Sequence, residues 1–171
     1  MEKEVRRNIY LTGFMGTGKS AVGRVLAKRL KRKFVDLDAL IERREKSTVA
    51  RIFERHGERA FRVKERRTLL STATKNNLVV ALGGGALIDR RNVEFVGENG
   101  FLIELVCSRR ELTRRLKKNR EARPLLAGGT LESRLAALLR ARRSAYGRPD
   151  LTISTTRLTI PQTSERIISR L

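Results

Sequence analysis

Acidic residues are scarce in this chain: Asp and Glu number 18 against 39 Lys and Arg, which leaves a net charge of +21. Such an imbalance attracts polyanions, among them nucleotides, phosphorylated metabolites, nucleic acid and acidic membrane surface, but it carries no information about fold. An Arg-rich solvated surface with no charge-driven role is the favoured account of it. Cysteine is limited to Cys107, so an internal disulfide is excluded and a reducing cytoplasm is the expected setting. Following the apolar run Phe101–Val106, that thiol reads as a buried structural group. Trp is absent and aromatics make up 5% of residues, which leaves few platforms for stacking bases and argues against a specific nucleic-acid partner. No apolar run approaches the ~18 residues of a membrane span. The opening MEKEVRRNIY has no long apolar segment behind its charges, unlike a secretory signal. Pro- or Ser-rich linkers, low-complexity tracts and repeats are also missing, so residues 1–171, 40% of them hydrophobic, are expected to form one domain with a real core.

Five short apolar runs have strand character: Asn8–Gly13, Phe34–Leu37, Leu78–Leu82, Phe101–Val106 and Leu151–Ile153. Helical spacing fills the gaps. Val22, Val25, Leu26 and Leu30 share a face of a helix starting near Ser20. Glu58–Thr74 carries Phe61, Leu69 and Leu70 among charges. Leu131, Leu135, Leu138 and Leu139 mark a further helix. Strands alternating with helices predict a parallel sheet in a three-layer α/β sandwich. Residues 119–130, NREARPLLAGGT, are too irregular for an element interior and read either as a surface loop or as a mobile lid.

Gly13-Phe14-Met15-Gly16-Thr17-Gly18-Lys19-Ser20 matches G-x-x-x-x-G-K-[ST] in full, with a strand before it and an amphipathic helix after it. The glycines let backbone N–H groups close around phosphate oxygens. The helix directs its positive dipole end at the anion. Lys19 reaches the β- and γ-phosphates and the Ser20 hydroxyl is a Mg²⁺ ligand. Gly16, Thr17, Gly18, Lys19, Ser20 and Ala21 are therefore the expected nucleotide contacts. This identifies a nucleotide site without choosing among a kinase, an ATPase and a nucleic-acid motor.

The acceptor side must make that choice. Asp36 and Asp38 end the second run two residues apart, so in extended geometry they project to the same side. Ligands of parallel α/β sheets sit at the carboxyl ends of strands. One carboxylate there could serve Mg²⁺ and the other an acceptor hydroxyl. A helix N-cap is the structural alternative for Asp38. Gly83-Gly84-Gly85 after the third run implies either close backbone approach to a ligand or a plain tight turn.

GFMGTGKS, FVDLD with ALIE behind it, HGERAFR, LGGGA, and RPLLAG with ARRSAY downstream occur in one order. Together they resemble the shikimate kinase family, from about Asn8 to the C-terminal helix. The resemblance implies a sheet order of 2-3-1-4-5 and a P-loop kinase fold with its lid at about 119–130. It implies transfer of the γ-phosphoryl group of ATP to the 3-hydroxyl of shikimate, with Mg²⁺, giving shikimate 3-phosphate and ADP for aromatic amino-acid (chorismate) biosynthesis in a cytoplasmic monomer. It also implies roles. Asp36 is the water-mediated Mg²⁺ residue, and Asp38 binds the acceptor hydroxyls and acts as base. Arg62 and Arg142 grip the substrate carboxylate, and Gly84 offers it a backbone N–H. Lys19 and the lid residue Arg123 meet the transferring phosphate, and Arg115 packs on adenine. Planar guanidinium forks suit a carboxylate acceptor. A lid arginine suits chemistry that needs positioning and charge stabilisation with water excluded. The chain departs from the family's pattern at Ala21, where a second hydroxyl is common, and at Ile153-Ser154-Thr155-Thr156, which matches the adenine-side loop only loosely. His56, before Gly57, reads as a helix-end residue.

Two rivals remain at this level. A small kinase for another polyol acid such as gluconate shares the phosphate loop, but Phe61-Arg62 and Gly83–Gly85 argue against it. A nucleic-acid-binding P-loop protein needs a basic stripe interleaved with aromatics, whereas the basic residues here are scattered along the sequence.

Overall fold

The computed structural model describes residues 7–117, 130–142 and 148–171. Five strands, β1 (Asn8–Thr12), β2 (Lys33–Asp36), β3 (Leu78–Ala81), β4 (Gly100–Val106) and β5 (Leu151–Ser154), form one sheet in the order β2-β3-β1-β4-β5. Every pairing is parallel, with Ile9 opposite both Val79 and Phe101. All residues of β1 and β3 are buried, as expected of central strands covered on both faces.

Helices supply those covers. α1 (Lys19–Arg29) and α7 (Ile160–Ile168) lie on one face, where Val22, Leu26 and Ile167 pack against Ile9, Leu11, Ile103 and Ile153. On the other face, α2 (Leu37–Glu45), α3 (Val49–Leu70) and α4 (Arg90–Asn99) bring Ile41, Phe61, Leu69 and Val96 onto Tyr10, Val80 and Leu102. A third cluster joins α5 (Arg109–Lys117) and α6 (Leu131–Arg142) to Phe14 of the phosphate loop through Leu112, Leu116, Leu131 and Leu135.

Several expectations change in detail. The second strand stops at Asp36 rather than Leu37, because the Asp36 carboxylate accepts the Ala39 N–H at 3.2 Å and caps α2. Asp38 therefore sits in the first turn of a helix and not in a strand, and the alternating-strand argument for the two aspartates fails. Asp36, not Asp38, is the cap. The helix expected from Glu58 starts at Val49, with Thr48 accepting the Arg51 N–H at 3.3 Å. It bends at Gly57, whose φ of 76° and ψ of 173° few other residues adopt. Leu70 points to solvent, and Cys107 is half-buried rather than buried. Residues 118–129, which hold Arg123 and nearly all of the expected lid, lie outside the described residues, as does the side chain of Arg142, the last residue of α6.

Candidate active site

The phosphate loop leaves β1 through Gly13 at φ 134°, where a Cβ would stand 2.2 Å from the Leu105 carbonyl oxygen. Any side chain there collides with backbone, so the loop closes against β4 only with glycine. Thr17 is buried and braces the loop by donating its hydroxyl to the Phe14 carbonyl at 2.8 Å. Gly18, at φ 97°, is the N-cap of α1 and makes no side-chain cap hydrogen bond. Lys19 folds back over the loop, and its ammonium donates to the carbonyls of Gly13 at 2.8 Å and Phe14 at 3.1 Å.

Two cavities meet at this loop. The first, about 540 Å³, lies between Gly16–Gly18, Ala21, Thr155 and the segment from Leu158 to Pro161. The second, also about 540 Å³, is lined by Lys19, Ser20, Asp36, Asp38, Glu42, Leu82 and Gly84. Gly16, Gly18, Ala21 and Arg115 belong to both. Arg115 donates to the carbonyls of Gly16 at 3.3 Å and Thr155 at 3.2 Å, and its Nε meets Glu111 at 2.8 Å. Hydrogen bonds from Arg114 and Arg115 hold the Glu111 carboxyl down at about 2. Arg115 thus bridges the phosphate loop and Thr155 of the loosely matching segment.

On the acceptor side, the Asp38 Oδ1 is enclosed and accepts no hydrogen bond among the described residues. Burial pushes the Asp38 carboxyl above the usual range, the nearby Asp36 and Glu42 add to this, and Lys19 and Arg62 oppose it. An orphaned buried carboxylate oxygen is costly and implies a partner beyond the described residues. Arg62 lies behind it. Its Nη1 donates to Glu65 at 2.7 Å, and its Nε and Nη2 donate to Glu58 at 3.2 and 2.9 Å. Burial works against the Arg62 charge, but Glu65 and Glu58 outweigh it and raise the pKa.

The glycine triplet explains how these groups fit. A Cβ on Gly83 would stand 2.5 Å from Glu65 Oε1 and 2.9 Å from Asp38 Oδ1; on Gly85 it would stand 2.5 Å from Arg62 Nη2. The glycines therefore serve close approach by the protein's own charged side chains, while Gly84 between them lines the cavity. Glu58 and Glu65 are functional neighbours that the reading of motifs missed. Their spacing of four and three residues from Arg62 on a helix was the available signal.

Hard oxygen donors suit a divalent cation here. The Ser20 hydroxyl and the Asp36 carboxylate line the same cavity as Lys19. No three His, Cys, Asp or Glu side chains cluster as a metal cage among the described residues. That donor set fits Mg²⁺, which keeps most of its waters and takes phosphate oxygens as ligands, rather than a cation needing an all-protein cage.

The family model described as shikimate kinase matches residues 15–171. The shikimate kinase of Pelotomaculum thermopropionicum is 44% identical over 162 residues, 95% of this chain and 94% of that protein. The one from Geobacter sulfurreducens is 48% identical over 149 residues, 87% of this chain and 82% of that protein. Among solved structures, shikimate kinase from Acinetobacter baumannii in complex with shikimate superposes with a TM-score of 0.91 at 35% identity, covering 99% of this chain and 94% of that one.

Proposed function

The chain belongs to the shikimate kinase family, and from that premise we propose that it transfers the γ-phosphoryl group of ATP to the 3-hydroxyl of shikimate with the residues of this cleft in the following roles. The observation that carries the assignment is the enclosed, unpartnered Asp38 oxygen in the cavity shared with Lys19 and Ser20. The shikimate hydroxyl donates to Asp38. Its oxygen attacks the γ-phosphorus as the bond to the ADP oxygen breaks, and its proton passes to the Asp38 carboxylate. A carboxylate whose pKa is raised by burial accepts that proton more readily.

Backbone N–H groups of Gly16–Ser20 and the N-terminus of α1 bind the phosphates. Lys19 exchanges its loop carbonyls for phosphate oxygens. Ser20, and Asp36 through water, would hold Mg²⁺, which would supply neutralisation of charge on the β- and γ-phosphates. Adenine lies between Arg115 and the wall from Leu158 to Pro161, beside Ala21. Arg62 takes the substrate carboxylate with Arg142, and the Gly84 N–H adds a further contact. Arg123 supports the transferring phosphoryl group.

All of these residues come from one chain, so residues 1–171 act as a single catalytic domain and a monomer suffices. The reaction draws on cytoplasmic ATP and supplies shikimate 3-phosphate to aromatic amino-acid biosynthesis. No helix among the described residues is long and apolar enough to cross a membrane. A coupled ADP-release assay with shikimate, with gluconate and without acceptor tests the proposal. Release with shikimate alone is the expected result, and equal release without acceptor would overturn it.

A further inference from the structure

Beyond Lys19, Arg62, Arg115, Arg123 and Arg142, the reaction above uses none of the 39 basic residues, and a cluster of them lies away from the cleft. The cleft occupies the edge of the sheet where strands end. At the opposite edge, residues 28–33 read Lys-Arg-Leu-Lys-Arg-Lys, finishing α1 and opening β2. Tertiary contacts draw more cations to this pole. Arg32 Nη1 donates to the Arg7 carbonyl at 2.7 Å, the Lys33 N–H to the Asn77 carbonyl at 3.3 Å, and Asn8 Nδ2 to the Lys75 carbonyl at 2.9 Å. α7 runs alongside: Arg29 pairs with Glu165, and Arg166 and Arg170 are exposed nearby.

Basic residues at a helix C-terminus complement its dipole, which accounts for Lys28 and Arg29. It does not account for Lys31 and Lys33, which lie past the helix end, carried there by the left-handed turn at Lys31 (φ 54°). Lys28, Lys31 and Lys33 are exposed and make no ion pair among the described residues. Strands of four to seven residues, at ~3.3 Å per residue, separate this pole from the cleft by about 13–23 Å.

We propose that this basic pole docks on the phosphate backbone of double-stranded DNA, irrespective of sequence, while the cleft stays open to its substrates. Among the described residues no aromatic side chain stands exposed beside these cations to stack an unpaired base, which disfavours single strands. Leu30 and Ile168 pack into the core, and among the described residues Leu70 and Leu171 are the large apolar side chains exposed at this end, too little to enter a bilayer. A duplex presents the densest fixed row of charges, one per ~1.7 Å of axis.

The test is fluorescence anisotropy with a labelled 20-base-pair duplex at several salt concentrations, beside the kinase assay. Engagement of four or five phosphates gives a slope of log K against log salt near about −4, with a dissociation constant of about 10⁻⁴–10⁻⁶ M near physiological salt. The charge-reversed variant K28E/K31E/K33E is expected to lose at least about tenfold in affinity and most of that slope, with kcat and both KM values unchanged. The milder K28Q/K31Q/K33Q should flatten the slope by about two to three. R55E/R59E/R110E, an equal change of charge near the cleft, should keep most of the affinity. An equal loss in that control would overturn the localisation. Equal binding of a single strand of the same length, or binding to acidic-lipid vesicles without binding to the duplex, would overturn the partner.

Discussion

Gly85 offers a clean perturbation of the acceptor site. Its φ of −122° and ψ of 6° are open to alanine, so Gly85→Ala carries no backbone strain and acts only through its new methyl group. That methyl would stand 2.5 Å from Arg62 Nη2 and 3.0 Å from Cζ and Nη1. Ordinary contact needs about 3.5 Å, so the guanidinium must retreat by about 1 Å. Its anchor cannot follow, because Glu65 is 1% exposed and holds Nη1 at 2.7 Å. A displacement of this size in a substrate-positioning group costs up to about 10²-fold. Steady-state kinetics with each substrate varied should show the shikimate KM raised about 10- to 100-fold, with the ATP KM unchanged. An acceptor analogue lacking the carboxylate should bind both enzymes alike. Thermal unfolding should move by no more than about 2–4 °C, the equivalent of about 1 kcal/mol for a chain of this length. An unaltered shikimate KM, or an equal rise in the ATP KM, would refute the placement of Arg62 against the acceptor carboxylate.

Asp38→Asn should lower turnover by about 10²–10⁴-fold while calorimetry shows ATP binding intact; near-normal turnover would remove Asp38 as the base. The same variant should be more stable than the wild type at pH 7. The folded-state pKa of Asp38 is raised above 3.8, so its stabilising contribution is complete below that value and is lost as pH rises through the folded pKa. Chemical denaturation at pH 7 and near pH 3.5 checks the sign, since the advantage should vanish at the lower pH. Arg115→Ala should raise the ATP KM by about tenfold and leave the shikimate KM alone; a change confined to shikimate would contradict its position over the phosphate loop. Arg123→Ala should lower kcat by about 10³-fold with little effect on nucleotide affinity, and an unchanged kcat would remove it from the transition state.

The sequence alone determined what short-range forces decide. The phosphate loop is a run of eight residues legible from sequence, and in the structure its glycines take positive φ while Lys19 and Ser20 line one cavity. The strands follow from apolar runs, since each central strand is buried on both faces. Their order was implied by the family resemblance, because apolar runs carry no record of which neighbours pair. Asp38 shows where local reading stopped. Two aspartates two residues apart fit a strand end or a helix start, and the Asp36–Ala39 cap chose the helix.

Only tertiary structure joined residues distant in the chain into the proposed acceptor site. Asp38 from α2 and Arg62 with Glu65 from α3 converge on Gly83–Gly85 after β3, at separations that no sequence window spans. Long-range packing also enclosed the Asp38 oxygen and so raised its pKa. Charge followed the same division: composition set the total of +21, and the parallel sheet, by gathering strand beginnings at one edge, decided that a basic cluster would form opposite the cleft.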